Sequence, residues 1–501
     1  MELYFQGHDH KYAVEQMLLT LFPSERPVYP GAVPAGDGAV ISLRRGKRWV
    51  TAVCRLRWER KTARGQARYP LDGARPKRDE IRLEQRIVKL AFYRAALNWG
   101  LPKPVWGSLT GVRPAKFLAG LVERDGLTPA QAERELVRLH GVDGDRAALC
   151  ARAAAAAAKV SAELKPRDVC LYIGIPYCPT RCAYCSFVSV EAPRLLGTIP
   201  AYLDALELEM EAVGRSVEEN SLRVVSVYVG GGTPTTLTAA QLDRLLAALR
   251  ERFDLRACRE LTVEAGRPDT VTPEKLSVLK KHAVDRVSVN PQTMSDAVLT
   301  AIGRHHSVQQ VYDAVAMVKA AEGLALNMDL IAGLPGDTPE TFDATVEAVL
   351  SLKPENITVH TLALKKGSRF LTEGAALPDA EAVGAMLRCA REKLTGEGFA
   401  PYYIYRQKFM SGSFENVGWT LPGYENLYNI CIMEELCPIL AMGAGGSTKL
   451  VAPGGVVKRL MAPKYPREYM ERIQETCQAK AQIGAFFAPA RPAEERKEFE
   501  A

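Results

Sequence analysis

Residues 170–185 read CLYIGIPYCPTRCAYC, in which an apolar run typical of a buried strand leads directly into three closely spaced cysteines. Cys178, Cys182 and Cys185 have the spacing C-x3-C-x2-C. Three thiolates on one loop leave a four-iron cluster one protein ligand short, because four cysteines would fill it. An iron with an open position can bind a substrate-like molecule, as a catalytic zinc does. The loop therefore predicts chemistry at a metal.

Two other uses of these cysteines are less well supported. A structural zinc normally takes two C-x2-C-like pairs, and no second pair or nearby histidine completes such a set. Disulfides are not favoured either, since the chain has 11 cysteines, an odd number, and no secretory leader is expected. The remaining cysteines show no metal-binding spacing and are expected to be small buried residues. They are Cys54, Cys150, Cys170, Cys258, Cys389, Cys431, Cys437 and Cys477.

Length and composition indicate a globular protein of several domains. The 501 residues exceed one hydrophobic core, and 47% of them are hydrophobic and 25% charged. No apolar stretch reaches the roughly 18 residues of a membrane helix, and the N-terminus does not resemble a signal peptide. A cytoplasmic location is therefore expected. Residues 1–7 resemble either a protease-site remnant or a native first strand, and both interpretations stay open.

Charge is unevenly distributed along the chain. Residues 1–165 hold 29 Lys and Arg against 17 Asp and Glu, a balance of +12, whereas residues 166–501 hold 36 against 41, a balance of −5. A basic region can contact RNA or an acidic small molecule, but a solvated surface is its commonest explanation. Nucleic acid is therefore not an expected partner.

Residues 1–165 are predicted to form a separate basic α+β domain. Apolar alternation predicts strands over 39–43 and 49–58. Helical patterns follow at about 79–98, 113–123, 129–139 and 144–164.

From residue 166 to 370, strand-like and helix-like segments alternate. Six βα units without hairpin turns predict a parallel sheet that curls into a partial (β/α)6 barrel resembling the TIM barrel. The strands are expected at Cys170–Ile175, Val224–Val229, Leu261–Glu264, Arg286–Val289, Ala325–Ile331 and Ile357–Thr361, and the helices at 199–218, 238–253, 272–282, 307–321 and 338–352. Residues 371–501 lose this rhythm and are predicted to form a third, α+β region.

Unusual residues fall at the carboxyl ends of these strands, where barrels of this kind build their active sites. The cysteine loop follows the first strand. The other features, in strand order, are the glycine run 230–235, Glu264, the segment 290–292, Asp329, and His360 with Ala363. This convergence predicts one site.

The charged residues of this edge suggest a ligand. Glu264 suits an ammonium group, Arg304 suits a carboxylate through a forked pair, and Asp329 suits ribose hydroxyls. Taken alone, each is explained equally well by a buried salt bridge, and the glycine run by an ordinary turn. Beside an open iron, these groups together describe a pocket for S-adenosylmethionine.

Several motifs resemble those of a known family. The cysteine spacing and the glycine run resemble the radical S-adenosylmethionine superfamily. The stretches LYIGIPYC at 171–178, RVSVNPQ at 286–292 and DLIAGLP at 329–335 look like oxygen-independent coproporphyrinogen III dehydrogenases. The stretch WGSLTGVRP at 106–114 and YRQK at 405–408 are similar to the HemZ-type branch.

The resemblance implies cofactors, a reaction and site residues. It implies a [4Fe–4S] cluster on Cys178, Cys182 and Cys185 that reduces S-adenosylmethionine to a 5′-deoxyadenosyl radical. It implies decarboxylation of two propionates of coproporphyrinogen III to vinyls, giving protoporphyrinogen IX, with residues 371–501 covering the substrate. A flavodoxin-like or ferredoxin-like electron donor is expected. The implied cofactor contacts are Tyr172, Tyr184, Gly231, Gly232, Thr233, Glu264, Gln292, Arg304, Asp329 and Ala363. Candidates for the acidic substrate are Arg113, Lys116, Arg406 and Lys408.

Two departures from the family's pattern border the cluster loop. Gly174 stands where the bacterial HemN-type enzymes carry a histidine, and Phe187 stands where they carry a further cysteine. The alternatives are therefore a haem-binding or haem-trafficking relative, or a radical enzyme that acts on another porphyrin or on RNA. The segment Asn426–Asn429 lacks the histidine-bearing motif of the haem chaperones, which weakens the first alternative.

Overall fold

The structure, a computed structural model, describes residues 1–71, 76–185, 190–191, 196–363, 370, 376–407, 413–452 and 456–488. Phe187 and Lys408 lie outside the described residues. The chain forms two compact units. The first comprises Met1–Ala151 with Arg406 and Gln407, and the second comprises Arg152–Tyr405 with the described residues from Ser413 onward. The predicted division into three domains at residues 165 and 370 stays a prediction.

The first unit is built on a four-stranded sheet of order β1-β2-β3-β4. Its strands are β1 (Glu2–Gln6), β2 (Gly38–Arg45), β3 (Trp49–Trp58) and β4 (Lys61–Pro70). Strand β1 pairs parallel to β2, and the other pairings are antiparallel. The helices are α1 (Lys11–Leu21), α2 (Lys77–Trp99), α3 (Pro114–Asp125), α4 (Pro129–Arg138) and α5 (Gly144–Glu163), which runs on into the second unit.

Close packing of α2 on the sheet depends on Gly65 in β4. A Cβ atom there would lie 2.1 Å from the carbonyl oxygen of Ala91 and 2.4 Å from the nitrogen of Ala95, so only glycine fits. The small residues of α2 face this position, while Phe92 and Leu90 fill the core beside it.

The second unit contains an 11-stranded sheet of order β13-β14-β12-β11-β10-β9-β8-β5-β15-β16-β17. Strands β5 and β8–β12 run parallel to one another, and β15 adds a further parallel strand beside β5. The outer strands β13, β14, β16 and β17 pair antiparallel. The strands of this sheet are β5 (Asp168–Ile175), β8 (Arg223–Gly231), β9 (Leu261–Glu264), β10 (Arg286–Ser288), β11 (Ala325–Ala332), β12 (Asn356–Thr361), β13 (Ala400–Tyr405), β14 (Asn416–Thr420), β15 (Ile439–Met442), β16 (Ser447–Ala452) and β17 (Val456–Met461). Strands β6 (Tyr177–Cys178) and β7 (Val190–Glu191) form a separate parallel pair.

Helices connect the parallel strands and complete the unit. They are α6 (Ile199–Glu219), α7 (Ala239–Arg252), α8 (Pro273–Lys281), α9 (Asp296–Ala301), α10 (Val308–Ala320), α11 (Pro339–Ser351), α12 (Ala380–Gly396), α13 (Leu427–Glu434), α14 (Pro466–Glu471), α15 (Ile473–Ala479) and α16 (Ala481–Phe487). Thr238, Ser307 and Thr338 close capping boxes at the starts of α7, α10 and α11, which is why these helices begin where the sequence predicts. No described helix has both the length and the apolar character needed to cross a bilayer.

The six predicted βα strands are all present, which confirms the α/β class with a parallel sheet. Helix α9 and strands β13–β17 were not predicted. The last five strands are short or amphipathic. Their positions depend on pairing with β12 and β5, and local sequence patterns do not reveal such pairing.

A buried ionic network fixes α13 against the sheet. Arg286 Nε donates to Glu260 Oε1 at 2.6 Å, and the same carboxylate accepts from the backbone N–H of Leu427 at 2.9 Å and from Asn426 Nδ2 at 2.7 Å. A carboxylate at the first turn of a helix satisfies its free N–H groups and its dipole. The network therefore sets the position of every side chain on α13.

Candidate active site at the carboxyl ends of the strands

The cysteine loop leaves the sheet at the end of β5 and is held by hydrogen bonds to two other parts of the chain. Ala183 N donates to Ile302 O at 3.0 Å, and Arg267 donates to Thr180 Oγ1 at 2.9 Å. Cys178, Cys182 and Cys185, called here the loop triplet, are half-buried. The loop thus presents three partly accessible thiols from a fixed backbone.

Two buried arginines surround this loop with positive charge. Arg267 is 2% exposed, pairs with Asp269 at 3.1 Å and lies 4.0 Å from Cys182 Sγ. Burial opposes ionisation of Cys182, but the guanidinium groups of Arg304 and Arg267 outweigh it and hold its pKa below the ordinary value. This setting therefore favours the thiolate of Cys182, the form that binds metal.

The glycine run after β8 packs directly on the loop. A Cβ atom on Gly232 would lie 2.6 Å from Tyr177 O and 3.0 Å from Cys178 Sγ, so a side chain there would displace the loop. Gly231 has φ +113°, which favours glycine. Thr233 N donates to Tyr177 O at 2.7 Å, and its Oγ1 donates to Cys178 Sγ at 3.5 Å.

Glu264 ends β9 beside an aromatic stack. Tyr228 donates to Glu264 Oε1 at 2.5 Å, and the Gly231 backbone N–H donates to the same carboxylate. The Tyr228 ring stacks on Tyr428 at 4.6 Å and on Tyr172 at 6.4 Å. Burial, together with repulsion from Asp329, raises the pKa of Glu264 to about 7 in spite of these donors. A ligand cation at this position would find a half-buried carboxylate that forms no ion pair with a described residue.

Asp329 lies on β11, two strands from Glu264. It accepts from Asn327 Nδ2 at 2.9 Å, and His360 Nε2 of β12 lies 3.6 Å from its Oδ2. Burial raises its pKa, but hydrogen bonding and charge from His360 outweigh that effect and leave the pKa below the ordinary value. Asp329 is therefore a carboxylate at neutral pH and accepts hydrogen bonds.

Arg304 and its neighbours carry unused hydrogen-bonding groups. Arg304 is 8% exposed and donates to Asn290 O at 2.5 Å, and its guanidinium also reaches the Tyr184 hydroxyl and Cys182. Among the described residues, buried polar atoms without a hydrogen-bond partner include Arg304 Nε, Asn290 Oδ1, Ser288 Oγ and both ring nitrogens of His306. Such atoms are rare unless a ligand or water meets them.

Gln292 has an unusual backbone for its residue type. Its φ is +69°. Its backbone N–H donates to Asp329 O at 2.9 Å, and its carbonyl oxygen accepts from Ile331 N at 3.0 Å. A non-glycine residue in this region is strained and is found more often at functional sites. Ala363 follows β12 and is half-buried.

The candidate substrate residues in the described part lie in the first unit. Arg406 is buried there, donates to Leu109 O at 2.5 Å, and lies over the Trp106 ring at 5.0 Å. Arg113 precedes α3, and Lys116 lies within it; both are half-buried. Their role toward a substrate stays a prediction.

The structure adds residues that the sequence patterns missed. Four further residues border the site: Arg267, His306, Tyr228 and Tyr428. Of these, only Arg267 has a sequence feature that could have indicated a functional role, because it follows the end of β9 within three residues. Of the eight cysteines expected to be small buried residues, five are buried, but the prediction is wrong for Cys258, Cys389 and Cys477, which are half-buried. Three of the buried ones are not isolated, because Cys170, Cys431 and Cys437 lie together.

Comparison with known proteins identifies the family. The family model described as the radical SAM superfamily matches residues 172–349. The oxygen-independent coproporphyrinogen-III oxidase-like protein HemZ of Bacillus subtilis is 38% identical over 375 residues, which cover 74% of this chain and 75% of that protein. The chain is a HemZ-like member of the radical SAM superfamily.

Other relatives of this HemZ-like chain differ in their described roles. The heme chaperone HemW of Lactococcus lactis is 35% identical over 281 residues, covering 55% of this chain and 68% of that protein. The structure of the coproporphyrinogen III oxidase HemN from Escherichia coli aligns with a TM-score of 0.52 and 23% identity, covering 65% of this chain and 73% of that one. The HemN structure shows the same fold, and the predicted family is confirmed.

Radical SAM proteins use a [4Fe–4S] cluster and S-adenosylmethionine, and the residues of this site fit both. The loop triplet supplies three sulfur ligands, and Arg267 and Arg304 stabilise the thiolate of Cys182. Only a residue without a side chain fits beside Cys178 at the glycine run, so the backbone there can approach the site closely. The unpartnered polar atoms around Arg304 suit a ligand with its own donors and acceptors.

Gly174 has little space for a larger side chain. A Cβ atom there would lie 3.4 Å from Met442 O and 3.4 Å from the Tyr172 ring. Strand β15 and the aromatic stack therefore border the position at which HemN-type enzymes carry histidine.

Proposed function

We propose that this chain is an oxygen-independent coproporphyrinogen III dehydrogenase, which oxidatively decarboxylates two propionates to vinyls and yields protoporphyrinogen IX. The observation that carries the proposal is the gathering of the loop triplet, Glu264 and Asp329 at one edge of the parallel sheet, in a chain that matches HemZ over three quarters of both lengths. When bound, the cluster and S-adenosylmethionine supply the carbon radical that removes a hydrogen atom from unactivated carbon.

We assign the cluster to Cys178, Cys182 and Cys185. Thr233 donates to one of these sulfurs and Arg267 lies near another, so both groups offset the negative charge of a thiolate-bound cluster. The three cysteines are half-buried, so their sulfur atoms are partly accessible to a ligand.

Each charged side chain is assigned to a different part of S-adenosylmethionine. Glu264 binds the ammonium end, Arg304 binds the carboxylate end with help from Gly231, Gly232 and Thr233, and Asp329 accepts from the ribose hydroxyls. Tyr172 and its stacked partners exclude water on the β5 side. The remaining assigned contacts are Tyr184, Gln292 and Ala363.

The acidic substrate calls for cations outside this pocket. Arg113, Lys116, Arg406 and Lys408 are the proposed sources, because four propionates give the substrate a strongly anionic rim. A small flavodoxin-like or ferredoxin-like protein is the proposed electron donor.

A second candidate function is haem binding or trafficking without turnover. Its support is the HemW relative at 35% identity and the absence of a histidine at Gly174.

Anaerobic assay of the reconstituted full chain separates the two. The protein is incubated with dithionite, S-adenosylmethionine and coproporphyrinogen III, and products are separated by chromatography and mass spectrometry. We expect loss of two carbon dioxide equivalents per porphyrinogen and 5′-deoxyadenosine in step with it. Asp313→Asn, on the exposed surface of α10, serves as the control and should match the wild type, whereas Asp329→Asn should lose most activity.

Cofactor cleavage without any vinyl product contradicts the dehydrogenase proposal. If the same preparation binds haem stoichiometrically, and does so equally without S-adenosylmethionine, the trafficking function takes its place.

A further inference from the structure

Three cysteines from distant parts of the chain meet inside the second unit. Cys170 lies in the first half of β5, Cys431 on α13, and Cys437 just before β15. Their sulfur atoms all lie within 4.8 Å of one another, and that of Cys170 is 3.6 Å from that of Cys437. These residues are called here the buried trio, since their exposures are 0%, 0% and 4%.

The buried trio is distinct from the loop triplet. Within the described residues it is the one group of three His, Cys, Asp or Glu side chains whose ligand atoms gather this closely. It shares no residue with the loop triplet, which follows the opposite end of β5. A cluster in the loop triplet therefore does not account for it.

The sulfur spacing matches coordination of a single ion. A disulfide requires sulfurs about 2.05 Å apart, far closer than the 3.6 Å observed. A single ion with metal–sulfur bonds of about 2.3 Å holds its thiolates roughly 3.8 Å apart. The Cys170–Cys437 separation of 3.6 Å is already close to that value, and the other separations do not exceed 4.8 Å.

Three independent elements hold the sulfurs in this arrangement. The sheet fixes Cys170 against the segment before β15, because Cys170 N donates to Pro438 O at 3.0 Å and Cys170 pairs with Ile439 in register. The Glu260 network fixes α13, which carries Cys431. The site is therefore preorganised, and binding needs little rearrangement.

The surroundings favour a soft cation over a hard one. The trio lies in an apolar cluster with Val160, Val225, Ile430 and Ile439. Sulfur ligands select zinc and monovalent copper over magnesium or calcium.

We propose that Cys170, Cys431 and Cys437 bind one thiophilic cation, Zn²⁺ or Cu⁺, as a second metal site separate from the iron–sulfur cluster. Each thiol that becomes a ligand releases its proton to solvent, and no redox change is involved. The site connects to the aromatic stack, because Tyr428 lies one turn before Cys431 and Tyr172 lies two residues after Cys170. The proposal does not depend on the reaction that the chain catalyses.

The test uses full-length protein carrying Cys178→Ala, Cys182→Ala and Cys185→Ala together, so that the loop triplet holds no iron. The protein is reduced anaerobically, stripped of metal, and offered Zn²⁺ or Cu⁺ in separate arms against a competing chelator. We expect one equivalent of zinc or of copper to be retained, with X-ray absorption showing three sulfur ligands at about 2.3 Å for zinc. The arm with the tighter retention identifies the ion.

Variants within the trio provide the matched comparison. Added to the same background, Cys431→Ser or Cys437→Ser should lower the affinity at least tenfold, whereas Cys477→Ser, a half-buried cysteine outside the trio, should not change it. X-ray absorption of the protein with an unmutated trio reports the sulfur coordination directly, so this measurement does not depend on whether the trio variants fold. The proposal would be overturned by no retained metal in either arm, by a sulfur count of zero, or by trio variants that retain metal as tightly as the parent protein. So would a Cys170–Cys437 disulfide formed under air in place of metal uptake.

Discussion

The loop triplet and the buried trio use the same side chain in opposite settings. The loop triplet comes from eight consecutive residues, is half-buried, and lies beside Arg267 and Arg304. The buried trio is assembled from residues 170, 431 and 437 and is surrounded by apolar side chains. The comparison indicates different roles for the two proposed sites: the loop triplet has the access and nearby charge that a reactive centre needs, whereas the buried trio has only converging sulfurs in an apolar setting.

The largest expected effect is loss of the iron–sulfur cluster from the loop triplet, with no change in metal binding by the buried trio. Cys182→Ala should abolish assembly of the iron–sulfur cluster, since a cluster with two protein thiolates loses a third of its anchors. Iron content and the visible absorption of the reconstituted protein measure this, and zinc retention by the buried trio should be unchanged. An unchanged iron count would refute the assignment of the cluster to the loop triplet.

Removing the charge of Glu264 should have the next largest effect. Glu264→Gln keeps the hydrogen bond from Tyr228 but loses the ion pair with the ligand ammonium, so S-adenosylmethionine should bind about 30-fold more weakly, or about 2 kcal/mol. Equilibrium binding to the reconstituted protein measures it. Iron content is the internal control, because Glu264 is not a cluster ligand.

The raised pKa of Glu264 predicts a pH dependence of stability. In the unfolded chain its pKa is near 4.5, and in the folded chain it is about 7, so the folded state binds the proton more tightly. Stability from this group is present at low pH and is lost as pH rises from about 4.5 through 7. Relative to Glu264→Gln, the wild type should lose about 1 kcal/mol between pH 6 and pH 8.

Thermal unfolding of both proteins without cofactor, at the two pH values, measures this difference. Parallel changes in the two melting temperatures would show that Glu264 titrates normally.

The smallest expected effect concerns the hydrogen bond to Cys178. Thr233→Val keeps the shape of the side chain but removes the donor to the sulfur, which should make the cluster potential more negative by about 20 mV, the equivalent of about 0.5 kcal/mol for one electron. Redox titration followed by electron paramagnetic resonance measures the potential. Thr235→Val is the matched control, because that hydroxyl donates to Ala265 O and not to a cysteine.

Much of the fold was accessible from local patterns. The predicted strand Leu261–Glu264 has the same bounds in the structure, and the helices predicted from 238, 307 and 338 begin one residue later, after their capping Thr or Ser. Strand β15 was not predicted, because a four-residue apolar segment carries no distinctive period. Arg267 and His306 were missed for a similar reason: each lies in a loop, and its importance comes from what it approaches in space.

The sequence by itself determined the order of the βα units, the loop triplet, and the family and its cofactors, because periodicity, capping and cysteine spacing are properties of neighbouring residues. Only the tertiary structure decided that β15 pairs with β5 and that the Glu260 network places α13 beside them. Those pairings bring Tyr428 onto Tyr228 and bring Cys431 and Cys437 to Cys170, across more than 200 residues. Contacts at such separation depend on sheet register and helix packing, which no local pattern specifies.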